Sequence, residues 1–299
     1  MEGGKGHRAG YVGVLGQTNV GKSTFLNAAL GHKLVITSSK PQTTRNRVRC
    51  ILTTESSQIV FLDTPGLHQP ENKLGRHIQR EAYRSLRGLD VILYVVEPWG
   101  SLSEFDRRVF ERWTTDGRPV FLLVNKIDLA KGNTLAETLL AYAATDLFAE
   151  LIPLSAATGE GVAEVIKTLI PYLPESPRLF PAETTFDHAE EFLIGELIRE
   201  KVTRFTYREI PYSSAVLVKW LNERADGLVE IKAEIIVERE SQKGIIVGKG
   251  GRLIRHIGTL ARTEIEALLG SRVFLDLIVK VRPNWTRDAE RIQELTGQT

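Results

Sequence analysis

A single cysteine, Cys50, is all that this 299-residue chain contains, so no internal disulfide can form and a reducing compartment fits it. Long apolar runs are missing as well. Stretches such as Val91-Ile92-Leu93-Tyr94-Val95-Val96 fall far short of the roughly 20 residues a membrane helix needs. The first residues, Met1 to Gly10, are glycine-rich and polar without a signal-peptide core, which argues against export. Six scattered histidines lack metal-ligand spacing, and one thiol makes no zinc site, so no transition metal is expected. Bulk charge gives no hint of nucleic acid: the net charge is +2, and residues 181–299 carry 18 basic against 19 acidic side chains. Attraction for a polyanion must therefore be local.

The chain is otherwise that of a folded protein, 42% hydrophobic and 25% charged, with length for about two domains. The apolar run Tyr11 to Leu15 leads into Gly16-Gln17-Thr18-Asn19-Val20-Gly21-Lys22-Ser23-Thr24, and a helix is expected from Lys22 to Leu30. A G-x-x-x-x-G-K-S loop between strand and helix wraps backbone N–H groups around phosphates at the positive helix end. Lys22 is expected to reach the β and γ phosphates. The Ser23 hydroxyl is expected to ligate Mg²⁺, joined by Thr44 of the Thr43-Thr44 pair when a γ phosphate is bound. In Asp63-Thr64-Pro65-Gly66, Asp63 would hold the metal through water and the Gly66 N–H would meet the γ phosphate. Losing that phosphate would release both segments, a switch.

Base choice is assigned to Asn125-Lys126-Ile127-Asp128 and Ser155-Ala156. A carboxylate at Asp128 can accept from N1–H and the 2-amino group of guanine, a donor pair adenine lacks. Asn125 would tie this loop to the phosphate loop, the Lys126 stem would cover the base, and the Ala156 N–H would meet O6. Five signatures in this order specify GTP.

Many switch GTPases carry a glutamine directly after Asp-x-x-Gly, where it orients the attacking water. Here Leu67 stands there, so slow intrinsic hydrolysis is expected. Asn19, in the middle of the phosphate loop, is a candidate ligand for K⁺, whose charge would replace an arginine finger.

Strand-like runs at 47–53, 58–63, 90–96, 120–125 and 151–153 alternate with helical patterns at 74–86, 103–113, 134–147 and 161–173. This predicts a doubly wound, mostly parallel α/β domain over residues 1–175. Pro171, Pro174, Pro177 and Pro181 mark a stiff linker, placed at 176–186. Residues 187–299 read as helix, two strands, two helices, a strand and a tail helix, an α+β domain of α-β-β-α-α-β order.

Within it stands a second glycine loop, Gly248-Lys249-Gly250-Gly251. From Ser241 to Thr263 five basic residues, among them Lys249, Arg252 and Arg255, occur with no acid. A Gly-x-x-Gly turn lets two backbones approach closely and can clamp about four nucleotides of single strand. Ile245, Ile246, Val247, Leu253, Ile254 and Ile257 are expected to floor the groove, and Arg252 and Arg255 to contact phosphates or base edges. Arg45, Arg47 and Arg49, and Arg76, Arg80, Arg84 and Arg87, are read as solvated faces.

Taken together, the motifs, with Pro41-Gln42-Thr43-Thr44-Arg45, resemble the Era family of ribosome-associated GTPases along nearly the whole chain. The resemblance implies a GTPase domain joined to a KH RNA-binding domain. It implies binding to the 3′ end of 16S ribosomal RNA, a role in 30S subunit maturation, and a cytoplasmic protein often loosely associated with the inner membrane face; a monomer is expected. The single phosphate loop excludes the related tandem GTPases. A reading from another class, a membrane-associated nucleotide-gated signalling switch with incidental RNA binding, expects lipid vesicles rather than RNA to respond to nucleotide state.

Overall fold

The computed structural model describes residues 6–37, 40, 48–63, 74–75, 88–99, 107 and 117–295. They fall into two compact units. The expected helices at 74–86 and 103–113 lie almost wholly outside the described residues, as do Thr43, Thr44, Thr64, Pro65, Gly66, Leu67, Arg45, Arg47, Arg76, Arg80, Arg84 and Arg87.

The first unit is built on one six-stranded sheet. Its strands are β1 (Arg8–Gly16), β2 (Val48–Thr53), β3 (Ser57–Asp63), β4 (Val91–Val96), β5 (Val120–Val124) and β6 (Glu150–Pro153), in the order β2-β3-β1-β4-β5-β6. Only β2 runs antiparallel to its neighbour. Every residue of β3, β4 and β5 is buried, as the unbroken apolar runs of β4 and β5 and the Ile59–Leu62 stretch of β3 require of a sheet covered on both faces. The helices α1 (Lys22–Leu30), α2 (Thr134–Ala143) and α3 (Val162–Leu169) belong to this unit. The expected helix 134–147 stops at Ala143 because Asp146 turns left-handed at φ 54°. The expected helix 161–173 gives way after Leu169 to a tight turn, Ile170–Tyr172, around Pro171. Because β1 lies between β3 and β4, chain order reverses there, leaving a crevice at the carboxyl ends of the strands. The phosphate loop follows β1, Asp63 ends β3, and Asn125 follows β5, so the fold delivers all three to that edge.

The proline-rich segment does not span open solvent. Ile51 N–H donates to Thr185 O (2.9 Å) and Asp187 N–H to Arg49 O (3.2 Å), so 185–187 lies along β2. Fully buried Gln58 accepts from the N–H groups of Leu179 (2.7 Å) and Phe180 (2.8 Å). Four prolines lack N–H donors, and this side chain and edge strand satisfy much of the rest.

The second unit contains α4 (Glu190–Phe205), the single turn α5 (Ile210–Ser213), β7 (Ala215–Glu223), β8 (Val229–Val237), α6 (Glu240–Val247), α7 (Arg252–Leu269), β9 (Val273–Val281) and α8 (Ala289–Leu295). Apart from α5 this is the expected order. The sheet runs β7-β8-β9, with β7 antiparallel and β9 parallel to β8. Alternate residues Ile231, Ala233, Ile235 and Val237 of β8 pack against Ile198 and Val202 of α4 and Ile257, Ala261 and Ile265 of α7. Those spacings of two and of three to four are the strand and helix periods.

Residues 36, 37, 40, 74 and 75 cluster with this second unit. Lys40 donates to the carbonyls of Thr203, Thr206 and, at 3.4 Å, Arg204, and its ammonium stands 4.8 Å from the Tyr207 ring centroid. It therefore caps the C-terminus of α4, whose last carbonyls lack helical partners.

Candidate functional site

The phosphate loop is a sequence of positive φ angles: Gly16 at 143°, Asn19 at 67° and Gly21 at 99°. At two of these positions a side chain would force its neighbour to move. A Cβ on Gly16 would lie 2.4 Å from Val95 O, and one on Gly21 would lie 2.2 Å from Asn125 Nδ2. Lys22, buried at the start of α1, donates to the loop carbonyls of Gly16 (3.1 Å) and Gln17 (2.6 Å). Burial pulls its pKa down to about 8, against an opposing pull from the Asp63 carboxylate. Ser23 Oγ donates to Asp63 Oδ2 at 3.3 Å, so two hard oxygen ligands suited to Mg²⁺ converge beside Lys22.

Asn125 joins three loops. Its Nδ2 donates to Val20 O (2.8 Å) in the phosphate loop, and its Oδ1 accepts from the Ala156 N–H (2.9 Å). Ser155 Oγ donates to Asp128 Oδ1 at 2.6 Å, fixing that carboxylate's rotation. Lys126, left-handed at φ 65°, sends its ammonium to Asn19 O (2.7 Å) and to the Glu97 carboxylate. Gln17, Thr18, Val20 and Thr24 complete the loop and first turn, while Thr44, Thr64, Pro65 and Gly66 are outside the described residues.

In the second unit Gly248-Lys249-Gly250-Gly251 joins α6 to α7. Gly248, Gly250 and Gly251 all have positive φ, 69°, 62° and 75°. They differ in what surrounds them: a Cβ on Gly248 would press on Leu253 Cβ at 3.0 Å, whereas one on Gly250 would meet nothing within 4 Å. Lys249 and Arg252 are exposed. Arg255 instead folds back onto the loop, its guanidinium donating to Gly251 O (3.1 Å) and Gly250 O (2.6 Å).

The expected apolar floor is only partly present. Ile246 and Ile257 are fully buried in the core, and only Ile245 stands clearly exposed, with Val247, Leu253 and Ile254 half-buried. Residues 245–247 cannot all face one groove, because in a helix consecutive residues point about 100° apart. The helix α7 also borders a cavity that the sequence did not reveal. A cavity of about 410 Å³ lies between α7 and β9, lined by Ile254, Arg255, Arg262, Phe274 and Asp276 among others. Two signals were available: Asp276 breaks an apolar strand, and Phe274 sits at the register that faces away from the core. Glu97 and Trp99, next to the Asn125 loop, were also missed.

Comparison with known proteins gives this geometry a lineage. The family described as 50S ribosome-binding GTPase matches residues 11–126, and the KH domain family matches residues 209–286. The chain is 45% identical to GTPase Era of Geotalea uraniireducens over 290 residues, covering 97% of this chain and 98% of that protein. The chain belongs to the Era family of GTPases. GTPase Era of Geobacter metallireducens is likewise 45% identical, with 96% of this chain and 97% of that protein covered. Among solved structures, a variant of Aquifex aeolicus Era bound to GDP·AlF₄⁻ matches with a TM-score of 0.92 at 36% identity, covering 96% of this chain and 98% of that one. Era in complex with MgGDPNP and nucleotides 1506–1542 of 16S ribosomal RNA matches with a TM-score of 0.91 at 36% identity, covering 97% and 98%. As a member of the Era family this chain is a GTP-hydrolysing enzyme, with a P-loop GTPase unit and a C-terminal KH unit. No helix among its described residues is long and apolar enough to cross a membrane.

Proposed function

We propose that this protein is a guanine-nucleotide-gated clamp on single-stranded RNA, binding the 3′ end of 16S ribosomal RNA and acting in 30S subunit maturation. The observation that carries the reading is a single one. The chain joins a guanine-type pocket to a Gly-x-x-Gly turn, and a similar protein was solved with MgGDPNP and that RNA segment on a matching fold.

Asp128, held by Ser155, reads the guanine edge; the Lys126 stem covers the base; the phosphate loop from Gly16 to Ser23 receives the phosphates, with Thr24 in the first turn behind it. Ser23 and Thr44 ligate Mg²⁺ directly and Asp63 does so through water, while Lys22, Thr44 and the Gly66 N–H stabilise charge developing on the γ phosphate. Asn19 would help hold K⁺ beside the β and γ phosphates, where its charge would stand in for an arginine finger, while Leu67 leaves the attacking water without a side chain to orient it. If GTP turnover is equal in Na⁺ and K⁺, that element is wrong. RNA lies across the Gly248–Gly251 turn, backbone against backbone, with Lys249 and Arg252 at its phosphates and Ile245, Val247 and Ile254 under its bases. Arg255 supports the turn from behind. The protein acts as a cytoplasmic monomer, a compartment its single buried thiol fits.

The test is the affinity of a labelled oligonucleotide matching the 16S 3′ end, measured with the protein in a nonhydrolysable GTP analogue or in GDP. Tight binding is expected only with the analogue. Gly250→Asp should abolish it and lower the thermal midpoint by only several degrees, because the position has open space around it and the cost is confined to holding a side chain at φ 62°, about 1–2 kcal/mol. Equal binding in both states sinks the gating. A nucleotide-dependent response to lipid vesicles without RNA binding would favour the membrane switch.

A further inference from the structure

We infer that Glu97 and Trp99 form a brace that holds Lys126 in its base-covering position before nucleotide arrives, making Glu97 a positioning residue for guanine nucleotide retention. The inference rests on the reading of Lys126 as the lid over the base.

Glu97 is the first residue beyond β4, the strand between β1 and β5 in the sheet. Its carboxylate is engaged at both oxygens. Oε1 receives the Lys126 ammonium, and Oε2 accepts the Trp99 indole N–H at 3.0 Å. The backbone between them is pinned as well, since the buried Thr138 hydroxyl of α2 donates to Pro98 O. The Lys126 ammonium also donates to Asn19 O at 2.7 Å. The lysine stem is therefore stretched between its left-handed backbone position and two fixed acceptors, one in the phosphate loop and one beyond β4.

A free lysine side chain gives up rotamer entropy when it is fixed. In this arrangement the fold has already paid that cost, so nucleotide binding need not. The Lys126–Glu97 pair is partly shielded, at 28% and 29% exposure, which places its charge neutralisation at the mouth of the base pocket rather than in bulk solvent. Neutralising the ammonium also suits a residue whose work is done by its methylene stem against a flat aromatic base. Trp99 is half exposed, and its indole serves as the outer prop of the carboxylate.

The experiment measures dissociation of fluorescently labelled GDP from the full chain and from Glu97→Ala, Glu97→Gln, Lys126→Ala and the Glu97→Ala/Lys126→Ala double variant. We expect release about tenfold faster for Glu97→Ala and about threefold faster for Glu97→Gln, with the double variant no faster than Lys126→Ala alone. The GDP-to-IDP preference is expected to be unchanged in Glu97→Ala, because the Asp128 contacts to the base edge are intact. A Trp99-specific signal, taken as the difference between the native chain and Trp99→Phe, is expected to red-shift in Glu97→Ala as the indole loses its acceptor. Unchanged release in Glu97→Ala alongside faster release in Lys126→Ala overturns the brace and keeps the lid. Unchanged release in both overturns the lid itself. Rates that multiply in the double variant show that Glu97 acts independently of Lys126, which also overturns the brace. Thermal midpoints of all variants identify misfolding, and Glu97→Gln, which keeps the side-chain shape, carries the test if Glu97→Ala unfolds.

Discussion

Asn125 offers the sharpest test of how the guanine pocket is assembled. Asn125→Ala removes two buried hydrogen bonds, one to Val20 O at 2.8 Å and one from the Ala156 N–H at 2.9 Å. Each contributes about 1 kcal/mol net, and an orphaned buried donor or acceptor costs about 1–3 kcal/mol. A loss of about 3 kcal/mol is expected, which lowers the thermal midpoint of a unit this size by about 6–12 °C. Gly21→Ala reaches the same contact from the other side. Its Cβ would lie 2.2 Å from Asn125 Nδ2, so the amide must leave Val20 O, and the residue must also hold φ 99° at a cost of about 1–3 kcal/mol. In an Asn125→Ala background the clash disappears and only the backbone strain remains. Thermal unfolding followed by circular dichroism without nucleotide should therefore show the double variant well above the sum of the single losses. Strict additivity, or a midpoint shift under 2 °C for Asn125→Ala, would refute the clamp.

Two further predictions use the titrating groups. Lys22 in the nucleotide-free protein has its pKa lowered from 10.5 to about 8 by burial, so between these values the unfolded chain binds more protons than the folded one. Stability of the empty protein is expected to rise with pH across that window, by up to about 3 kcal/mol, the cost of the buried ammonium being fully present below pH 8. Phosphates restore a high pKa, so GDP binding should take up protons near pH 9. Calorimetry in buffers of different ionisation enthalpy measures this, and no proton uptake would show that Lys22 stays charged throughout. The Cys50 thiol is fully buried, and burial together with the Asp63 carboxylate pushes its pKa up, so the thiolate is scarce. A disulfide reagent is expected to react only as fast as the unit unfolds, and labelling of the native protein at the rate of a free thiol would contradict the buried placement.

Much of this protein was written in its sequence because the deciding physics is local. The order of the loops that begin at Gly16, Asp63, Asn125 and Ser155 follows from strand and helix periods and from glycines that only certain backbone angles can use. The sequence also carried the doubly wound sheet, since the unbroken apolar runs of β4 and β5 and the Ile59–Leu62 stretch of β3 need cover on both faces. It likewise carried the Gly248–Gly251 turn and the α-β-β-α-α-β order. What tertiary structure alone decided depends on pairs distant in the chain. Helical geometry, which a linear reading smooths over, sends Ile246 into the core and leaves Ile245 outside. The path of 185–187 along β2 depends on an edge strand more than 130 residues earlier having open hydrogen-bonding groups. Neither Glu97 nor Trp99 belongs to any local pattern. Only the adjacency of β4 and β5 places them against Lys126, and that adjacency is a property of the sheet rather than of any segment in it.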